Sequence, residues 1–452
     1  MKADVSVAER LAQAGIDAAP SAAMRETCER LLIDIVGLCA GARAEPYIAA
    51  MLGAADADGP CTAIGHVRGF SAADAALING TAAHGEDFDD TFEGGPVHAG
   101  AVVVPAVLAA AERFGLAGTD ALRGIAAGSE ATCRLSTVVP KAVHKAGFHP
   151  TCVFGVMGAA LGVGVALRLT PAQITDALGI AGSFASGIIE YLSEGAWTKR
   201  LHPGWAAQGS IRAALLAKGG FVGPRTVFEG PHGLFNGFAH ALPETWDALL
   251  DGFGTRWVAE TIAFKPYACG TMTHPYVDCA RRLAARGVQA EAITEIVCET
   301  AEGILHRLWE PLADKQAPPN AYAAKFSTPY CIAAGFFLDG AALDAFTEAR
   351  VADPRLRALA AKVGYVVDPD SPYPRAYTGH VRATLADGTV IEERQPHLRG
   401  GASEPLSRAE IEAKARANMR HGGWDEVRIE AALRFAASAF DAVRIDAAAL
   451  RG

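Results

Sequence analysis

Residues 151–167, TCVFGVMGAALGVGVAL, contain no charged side chain and are apolar on every side. A helix of that composition is buried all round, and this stretch is short and glycine-rich for a membrane span. The better interpretation is a central core helix, and no contact with a membrane is expected. A chain that contains such a helix must surround it with others, so the sequence predicts a core of many helices.

Apolar residues recur at helical spacing through most of the N-terminal half, which supports that prediction. The predicted helices cover residues 21–42, 71–84, 100–114, 118–139, 171–188 and 205–219. Helix starts are indicated by Ser71, by Thr170 before Pro171, and by Ser407, because their hydroxyl groups can cap the first backbone amides. The helical pattern returns over residues 407–440.

The pattern changes after Lys265. A helix is predicted at 273–287, and the alternating stretch AITEIVCET at 292–300 is typical of a strand. Residues 380–395, HVRATLADGTVIEERQ, suggest a hairpin that turns at Asp387 and Gly388. The predicted fold class is therefore mainly α: a large all-α helical domain, residues 1–265 and 398–452, with an inserted smaller α+β domain, residues 266–397.

Length, charge and cysteine spacing narrow the class of protein. A chain of 452 residues can form two domains, and 50% apolar with 20% charged residues is typical of a compact globular protein. The net charge of −9 comes without a basic run, which argues against a nucleic-acid partner. The N-terminus lacks the apolar core of a signal peptide and no cysteines form a CxxC pair, so a cytoplasmic location without cysteine-based metal sites is expected.

Four segments combine ionisable groups with glycine, proline or aromatic residues. They are GEDFDDTFEGGPVHAGA (85–101), KAGFHPTCVFG (145–155), WTKRLHPGWAAQGS (197–210) and AFKPYACGTMTHPYVD (263–278). Together they supply carboxylates at 87–90, imidazoles at 98, 149 and 202, and ammonium groups at 199 and 265. This set suits a cavity for a carboxylate-bearing substrate, in which cations and helix N-termini bind carboxylates while a histidine or lysine moves a proton at carbon.

Each segment also has a purely structural interpretation. A histidine beside proline at a helix start often caps or packs, and acids such as those of DFDD often form a solvated helix end. Asp89, Asp90 and Glu93 match the DDxxD spacing of magnesium sites in prenyl-transferring enzymes, but no second such motif is present. HExxH and calcium-loop patterns are also absent, so no metal site is expected.

The segment NGTAAHGEDFDDT at 79–91 resembles the NGxxxHxxDFDDT motif of the MmgE/PrpD family, which includes 2-methylcitrate dehydratase, cis-aconitate decarboxylase and iminodisuccinate epimerase. Further matches occur in the same order at HAGAVVVPAVLAAAE (98–112), GFHPTCVFG (147–155), TKRLHPGWAAQGS (198–210), FKPYACGTMTH (264–274) and FSTPYCIAAGF (326–336). The resemblance implies an all-α domain with an inserted α+β domain, a homodimer with its active site between the two domains, and neither a metal nor an organic cofactor.

The resemblance also identifies candidate site residues. Those assigned to catalysis are Asp87, His98, His149, Lys265 and Tyr330. Those assigned to binding substrate carboxylates are Lys199, Arg200, His202 and His274.

The roles within this set are hypotheses. His98 or Lys265 exchanges the proton, while Asp87 orients His98 and holds its tautomer. The other acids of the opening segment are expected only to shape or solvate its turn: Glu86, Asp89, Asp90 and Glu93.

The resulting prediction is a cofactor-independent lyase that transfers a proton alpha to a carboxylate of a small di- or tricarboxylate, with dehydration of a 2-methylcitrate-like substrate as the first choice. Decarboxylase members of the family carry a His-Pro after DFDDT, where this chain has Glu93-Gly94-Gly95, and a histidine where it has Gly270. The family's proline after its next histidine is replaced by Ala99. The two missing imidazoles argue against decarboxylation.

Besides a cis-aconitate decarboxylase-like activity, two alternatives remain open at this point. An epimerase would re-protonate the same carbanion on its opposite face and would differ only in the fate of that intermediate. A non-enzymatic helical dimer that binds a metabolite is the other alternative, although retention of the whole candidate set argues against it.

Overall fold

The computed structural model describes residues 5–56, 58–194 and 196–452, apart from the side chain of Glu194. The chain divides into two compact units. The first comprises Met1–Gly85, Asp89–Ile262 and Ser407–Gly452, and the second comprises Glu86–Phe88 and Ala263–Leu406.

Helices dominate the described chain, and those numbered 14 to 20 belong to the second unit. In chain order they are α1 (Val7–Asp17), α2 (Ala22–Ala42), α3 (Pro46–Ala54), α4 (Ala72–His84), α5 (Ala99–Phe114), α6 (Gly118–Val138), α7 (Ala142–Lys145), α8 (Pro150–Ala166), α9 (Pro171–Gly182), α10 (Tyr191–Glu194), α11 (Thr198–Lys218), α12 (Leu234–Ala239), α13 (Asp247–Leu250), α14 (His274–Ala285), α15 (Leu305–Leu308), α16 (Leu312–Gln316), α17 (Ala321–Ala324), α18 (Thr328–Phe337), α19 (Glu348–Val351), α20 (Pro354–Ala360), α21 (Arg408–His421) and α22 (Glu426–Ser438).

The all-apolar helix predicted from residue 151 is the centre of the first unit. Every residue of α8 is buried, and α8 packs on α5, α6, α9 and α11. Its glycines allow this close packing, because a Cβ at Gly158 would lie 2.0 Å from Oγ1 of Thr132 on α6. The prediction of a many-helix core around this segment is confirmed, as is the mainly α class.

The predicted helix starts are confirmed, whereas two helix boundaries were wrong. Ser71, Thr170 and Ser407 each accept a hydrogen bond from a first-turn amide of α4, α9 and α21. Helix α9 ends at Gly182, six residues before the predicted end, and the chain soon reaches Gly187 at φ +100, which a helix excludes. Helix α11 begins at Thr198, seven residues before the predicted start, and includes Pro203, which removes one backbone hydrogen bond without ending the helix.

The second unit contains a four-stranded sheet in the order β6-β5-β7-β8. The strands of the described chain are β1 (Asp58–Thr62), β2 (Gly69–Phe70), β3 (Thr91–Phe92), β4 (Ile262–Ala263), β5 (Ile293–Thr300), β6 (Val363–Val367), β7 (Gly379–Leu385) and β8 (Val390–Gln395). The β5 and β7–β8 predictions are confirmed, including the turn, where Gly388 has φ +83. The sequence analysis missed β6. This strand pairs with β5 in parallel, with Val363 opposite Ile296 and Val367 opposite Thr300.

Within the described residues, no single helix is long and apolar enough to cross a membrane. Helices α2 and α3 reach that length and hydropathy only when taken together, and they bend by 94° at their junction.

Candidate active site

Four histidines of the first unit approach one another from the ends of four helices. His84 ends α4, His98 and His149 are the N-cap residues of α5 and α8, and His202 lies in the second turn of α11. We call this set the imidazole cluster. The ring centroid of His84 lies 4.7 Å from that of His98 and 5.6 Å from that of His149. The ring centroids of His149 and His202 are 5.3 Å apart.

Two consecutive acids hold the first two rings of the cluster. Nδ1 of His84 lies 2.7 Å from Oδ2 of Asp89. Nδ1 of His98 lies 2.6 Å from the carbonyl oxygen of Asp90 and 3.4 Å from the same Asp89 oxygen. Because these partners accept hydrogen bonds, both rings are assigned as Nδ1–H tautomers, which leaves a lone pair on each Nε2. Nε2 of His84 is buried and has no hydrogen-bond partner among the described residues.

The carboxyl group of Asp90 is buried against the start of α5. Its Oδ2 accepts a hydrogen bond of 3.0 Å from the backbone N–H of Gly100, and its Oδ1 has no hydrogen-bond partner within the described part of the chain. Only glycine fits at position 100, because a Cβ there would lie 2.4 Å from Oδ1 of Asp90 and 2.8 Å from Cδ2 of Leu31. Burial, followed by the charge of Asp89, raises the pKa of Asp90 to about 8.

Burial also keeps three of the four imidazoles neutral. Burial and the charge of Lys199 lower the pKa of His202 to about 4 and, against the opposing charge of Asp89, that of His84 to about 3. The pKa of His149 lies well below its usual range, first through burial and then through the three neighbouring imidazoles. At neutral pH these groups therefore accept protons or hydrogen bonds more readily than they donate a proton.

The other side of the cluster is formed by His149 and His202. Their Nδ1 atoms are 3.1 Å apart, so one ring donates to the other. The ring of Tyr191 lies 6.3 Å from His149 and 5.8 Å from His202, measured between centroids. Gly187 closes this side, since its carbonyl accepts from the His149 backbone amide and a Cβ would lie 2.9 Å from Cβ of Cys152.

Of the residues proposed from the sequence, the first unit brings together His98, His149 and His202, with Lys199 close enough for its charge to act on the cluster. Arg200 is adjacent in sequence but has a different environment, because its guanidinium lies 4.5 Å from the ring centroid of Tyr47. Its hypothesised contact with substrate has no support in this geometry.

Two further proposed residues meet in the second unit. The Nζ of Lys265, which is 3% exposed, donates a hydrogen bond of 2.9 Å to the carbonyl oxygen of Asp87. Asp87 adopts φ +54, a left-handed conformation that is uncommon for a residue other than glycine. Beside it, Nζ of Lys325 binds both the carbonyl oxygen and the carboxylate of Glu86, the latter at 2.7 Å. The two lysines thus hold this short segment by its backbone.

The last two proposed residues of the second unit have structural partners. The hydroxyl of Tyr330 donates to the carbonyl oxygen of Ala345 at 2.7 Å, and its side chain is fully buried. Nε2 of His274 lies 3.2 Å from the carbonyl oxygen of Cys269, and its ring packs edge-on against Tyr267.

The sequence analysis missed His84 and misjudged two acids. Asp89 and Asp90 were expected to shape or solvate a turn, but both are fully buried because α4 and α5 enclose them. The orientation of His98, hypothesised for Asp87, is provided by Asp90 and Asp89. His84 stands in the quoted segment NGTAAHGEDFDDT, five residues before Asp89, and that spacing was the available signal.

The cluster combines three neutral imidazoles with a fourth, His98, whose Nδ1 is held by a carbonyl oxygen, and a nearby ammonium group. Such a site can accept a proton from carbon and bind an anion beside it. Three of its rings could also hold a metal ion, because one ring nitrogen from each of His84, His98 and His149 lies within 4.8 Å of the other two.

The comparison with known families identifies the family of this chain. The N-terminal domain of the MmgE/PrpD family matches residues 5–245, and the family's C-terminal domain matches residues 267–435. The chain belongs to the MmgE/PrpD family.

Several curated relatives are cis-aconitate decarboxylases. The Aspergillus terreus protein is 28% identical over 90% of this chain and 86% of its own length. The human protein is 29% identical over 78% of this chain and 74% of its own length. The mouse protein is 30% identical over 76% of this chain and 71% of its own length.

Proposed function

We propose that this chain is a cofactor-independent lyase that removes a proton alpha to a carboxylate group of a small di- or tricarboxylate. We expect dehydration first: an imidazole takes the α-proton, and the imidazolium so formed protonates the hydroxyl group on the neighbouring carbon. That group then leaves as water and a carbon–carbon double bond forms. Membership of the MmgE/PrpD family and the decarboxylase relatives support a lyase that acts on carboxylates.

The orientation of His98 is the observation that carries the proposal. Its Nδ1–H is held by the carbonyl oxygen of Asp90 at 2.6 Å, which leaves Nε2 as the proton acceptor. The ring is 12% exposed, whereas that of His84 is fully buried, so a substrate can reach His98. A fixed and accessible imidazole whose Nε2 can take up a proton is the form of histidine that a general base requires.

Lys199 is the proposed carboxylate-binding residue of the same unit. Its charge lowers the pKa of both His84 and His202, which indicates an ammonium group close to the cluster. A substrate carboxylate placed beside Lys199 would have its charge neutralised, and this also stabilises the carbanion that forms on the adjacent carbon.

Protonation states favour dehydration over decarboxylation. Loss of CO₂ leaves a carbanion that needs an acid already protonated, whereas dehydration starts from a neutral base, which then becomes the acid for the leaving hydroxyl group. The lowered pKa values of His84, His149 and His202 keep those rings neutral. Moreover, the imidazole that decarboxylase members carry after DFDDT has no counterpart here, and a Cβ at Gly95 would lie 2.2 Å from Oγ of Ser136. Decarboxylation is the second candidate because three relatives from different organisms bear that name.

A panel of di- and tricarboxylates incubated with the protein in D₂O and followed by NMR tests the proposal. We expect alkene formation from a 2-hydroxy tricarboxylate such as 2-methylcitrate. CO₂ release from cis-aconitate would instead support the second candidate, and deuterium exchange without alkene or CO₂ would identify an epimerase. Absence of turnover and exchange with every carboxylate would contradict the proposal.

The role of His98 is tested by His98→Gln, which keeps a polar side chain but removes the ring base. We expect the rate to fall by about 10²- to 10⁴-fold, the usual contribution of a general base. His421→Gln alters an exposed histidine at the end of α21 and is the matched control. A His98→Gln variant that works at the parent rate would exclude His98 as the base.

A further inference from the structure

The imidazole cluster has one feature that proton transfer does not require. One ring nitrogen from each of three buried or nearly buried histidines, His84, His98 and His149, lies within 4.8 Å of the other two. Nε2 of His84 is fully buried and has no hydrogen-bond partner among the residues that the structure describes. An unsatisfied lone pair in such a place is destabilising, so it is a strong attachment point for a ligand.

We propose that His84, His98 and His149 bind a zinc-type transition-metal ion, and that this ion inhibits the reaction by occupying the lone pair of the base. The inhibitory part rests on the function proposed above, whereas the binding site itself does not. Neutral imidazole nitrogen is a preferred ligand of Zn²⁺, and three protein ligands leave a fourth tetrahedral position for water or a small anion.

The surroundings of the three rings match those of metal-binding histidines. Such histidines usually donate their second ring N–H to a carboxylate or a backbone carbonyl, which fixes the tautomer. Here Nδ1 of His84 lies 2.7 Å from the Asp89 carboxylate and Nδ1 of His98 lies 2.6 Å from the Asp90 carbonyl. Nδ1 of His149 lies 3.1 Å from Nδ1 of His202, so His149 can take the same form if it donates to its neighbour.

The geometry needs only a modest closure. Tetrahedral Zn–N bonds of about 2.0–2.1 Å place ligand nitrogens about 3.4 Å apart, compared with the present limit of 4.8 Å. Rotation about the broad χ2 torsion of histidine can supply this change without a backbone shift. The charge of Lys199 opposes the cation, and the carboxylate of Asp89 compensates for it.

Metal binding is measured directly on the full chain after treatment with EDTA and desalting. Isothermal titration with ZnCl₂ should give one ion per chain, and Co²⁺ should give the intense visible absorption of a tetrahedral complex. His84→Gln, His98→Gln and His149→Gln should each weaken Zn²⁺ binding at least about tenfold, and Asp89→Asn by about 10- to 100-fold. His232→Gln, at an exposed residue outside the cluster, should leave the affinity unchanged.

Two results would overturn the site: a parent protein without one-to-one binding, or an affinity that none of the three cluster substitutions changes. If the variant at buried His84 does not fold, His98→Gln decides, because that ring lies partly exposed. Circular dichroism without metal establishes folding.

Inhibition is a separate measurement. The Zn²⁺ concentration that halves turnover should equal the directly measured dissociation constant, and EDTA should restore the rate. Zn²⁺ binding in a protein that converts no carboxylate would leave the metal site intact and refute the proposed function. Turnover that is insensitive to bound Zn²⁺ would refute the inhibitory role.

Discussion

The first unit buries acidic side chains in two contrasting ways. On α6, Glu130 and Arg134 form an ion pair in which Nε of Arg134 donates to Glu130. The remaining guanidinium donors bind the carbonyl oxygens of Asp251 and Arg256, and the backbone amides of residues 258 and 259 bind the carboxylate. Every polar atom of this pair therefore has a partner, and together they attach residues 251–259 to the helix.

Asp89 and Asp90 are equally buried, but two acids stand side by side and face imidazoles instead of a guanidinium. Nε2 of His84 and Oδ1 of Asp90 lack hydrogen-bond partners among the described residues. A partly satisfied buried network is costly for stability, so it persists where it has another use. The contrast separates a fully satisfied ion pair, which stabilises the fold, from a partly satisfied network of acids and imidazoles at the proposed site.

Breaking the ion pair should have the largest effect on stability. Arg134→Met leaves the Glu130 carboxylate buried without its cation, which should lower the free energy of unfolding by about 3–5 kcal/mol. Chemical denaturation followed by circular dichroism measures this loss. Arg420→Met removes an exposed pair with Glu426 and should leave the midpoint unchanged. An equal effect of both substitutions would contradict the structural role given to Glu130 and Arg134.

The corresponding change in the imidazole cluster should act on turnover instead. Asp89→Asn keeps the size of the side chain but removes the charge that holds His84 at 2.7 Å and lies near His98. We expect kcat to fall by about 10²-fold, which is about 2.7 kcal/mol, with a smaller loss of stability than in Arg134→Met. Steady-state kinetics on the substrate found by the panel provides the measurement. A variant with normal kcat and a large loss of stability would make Asp89 a structural acid like Glu130.

The sequence predicted the α8 core because an uncharged run leaves little choice of environment, and the helix covers Pro150–Ala166. The helix starts at Ser71, Thr170 and Ser407 were predicted equally well, since N-capping is a local interaction. Strand β6 was missed because its burial depends on pairing with β5, which a local pattern does not reveal.

The site was predictable to a similar degree. His98 and His149 precede helices in recognisable segments, and their approach to each other follows from the packing of α5 on α8. Asp89 and Asp90 were judged by local propensity, which favours solvated acids at a helix end. Their burial follows from the close approach of Gly100, and sequence periodicity does not report such a contact.

Gly100→Ala tests that contact. Its Cβ would lie 2.4 Å from Oδ1 of Asp90, so the carboxyl group or the start of α5 must move. We expect a loss of about 1–3 kcal/mol in the free energy of unfolding, together with reduced turnover because the Asp90 carbonyl holds His98. The control is Gly53→Ala in α3, where a Cβ meets nothing within 4 Å and should slightly stabilise the helix. Equal responses at the two glycines would show that the turn before α5 is loosely packed.

The smallest expected effect concerns Glu112, a further buried acid, which lies between the two extremes. Its carboxylate accepts hydrogen bonds from the backbone amide and the hydroxyl of Thr62, at 2.8 and 2.7 Å. Burial raises its pKa above the ordinary value of 4.5 despite these bonds. The folded state therefore holds the proton to higher pH than the unfolded chain does.

The sign of the pH dependence follows from that difference. The stability associated with protonated Glu112 is complete below pH 4.5 and is lost as the pH rises through the higher folded pKa. Glu112→Gln removes the titration. As the pH increases from 4.5, the free energy of unfolding of the variant should therefore rise relative to that of the parent, by on the order of 1 kcal/mol or less. Denaturation at a series of pH values measures the difference, with exposed Glu291→Gln as the control. If the stability of the variant instead fell relative to the parent with rising pH, the Thr62 hydrogen bonds would outweigh burial in setting the pKa of Glu112. Glu112 would then resemble the fully satisfied Glu130.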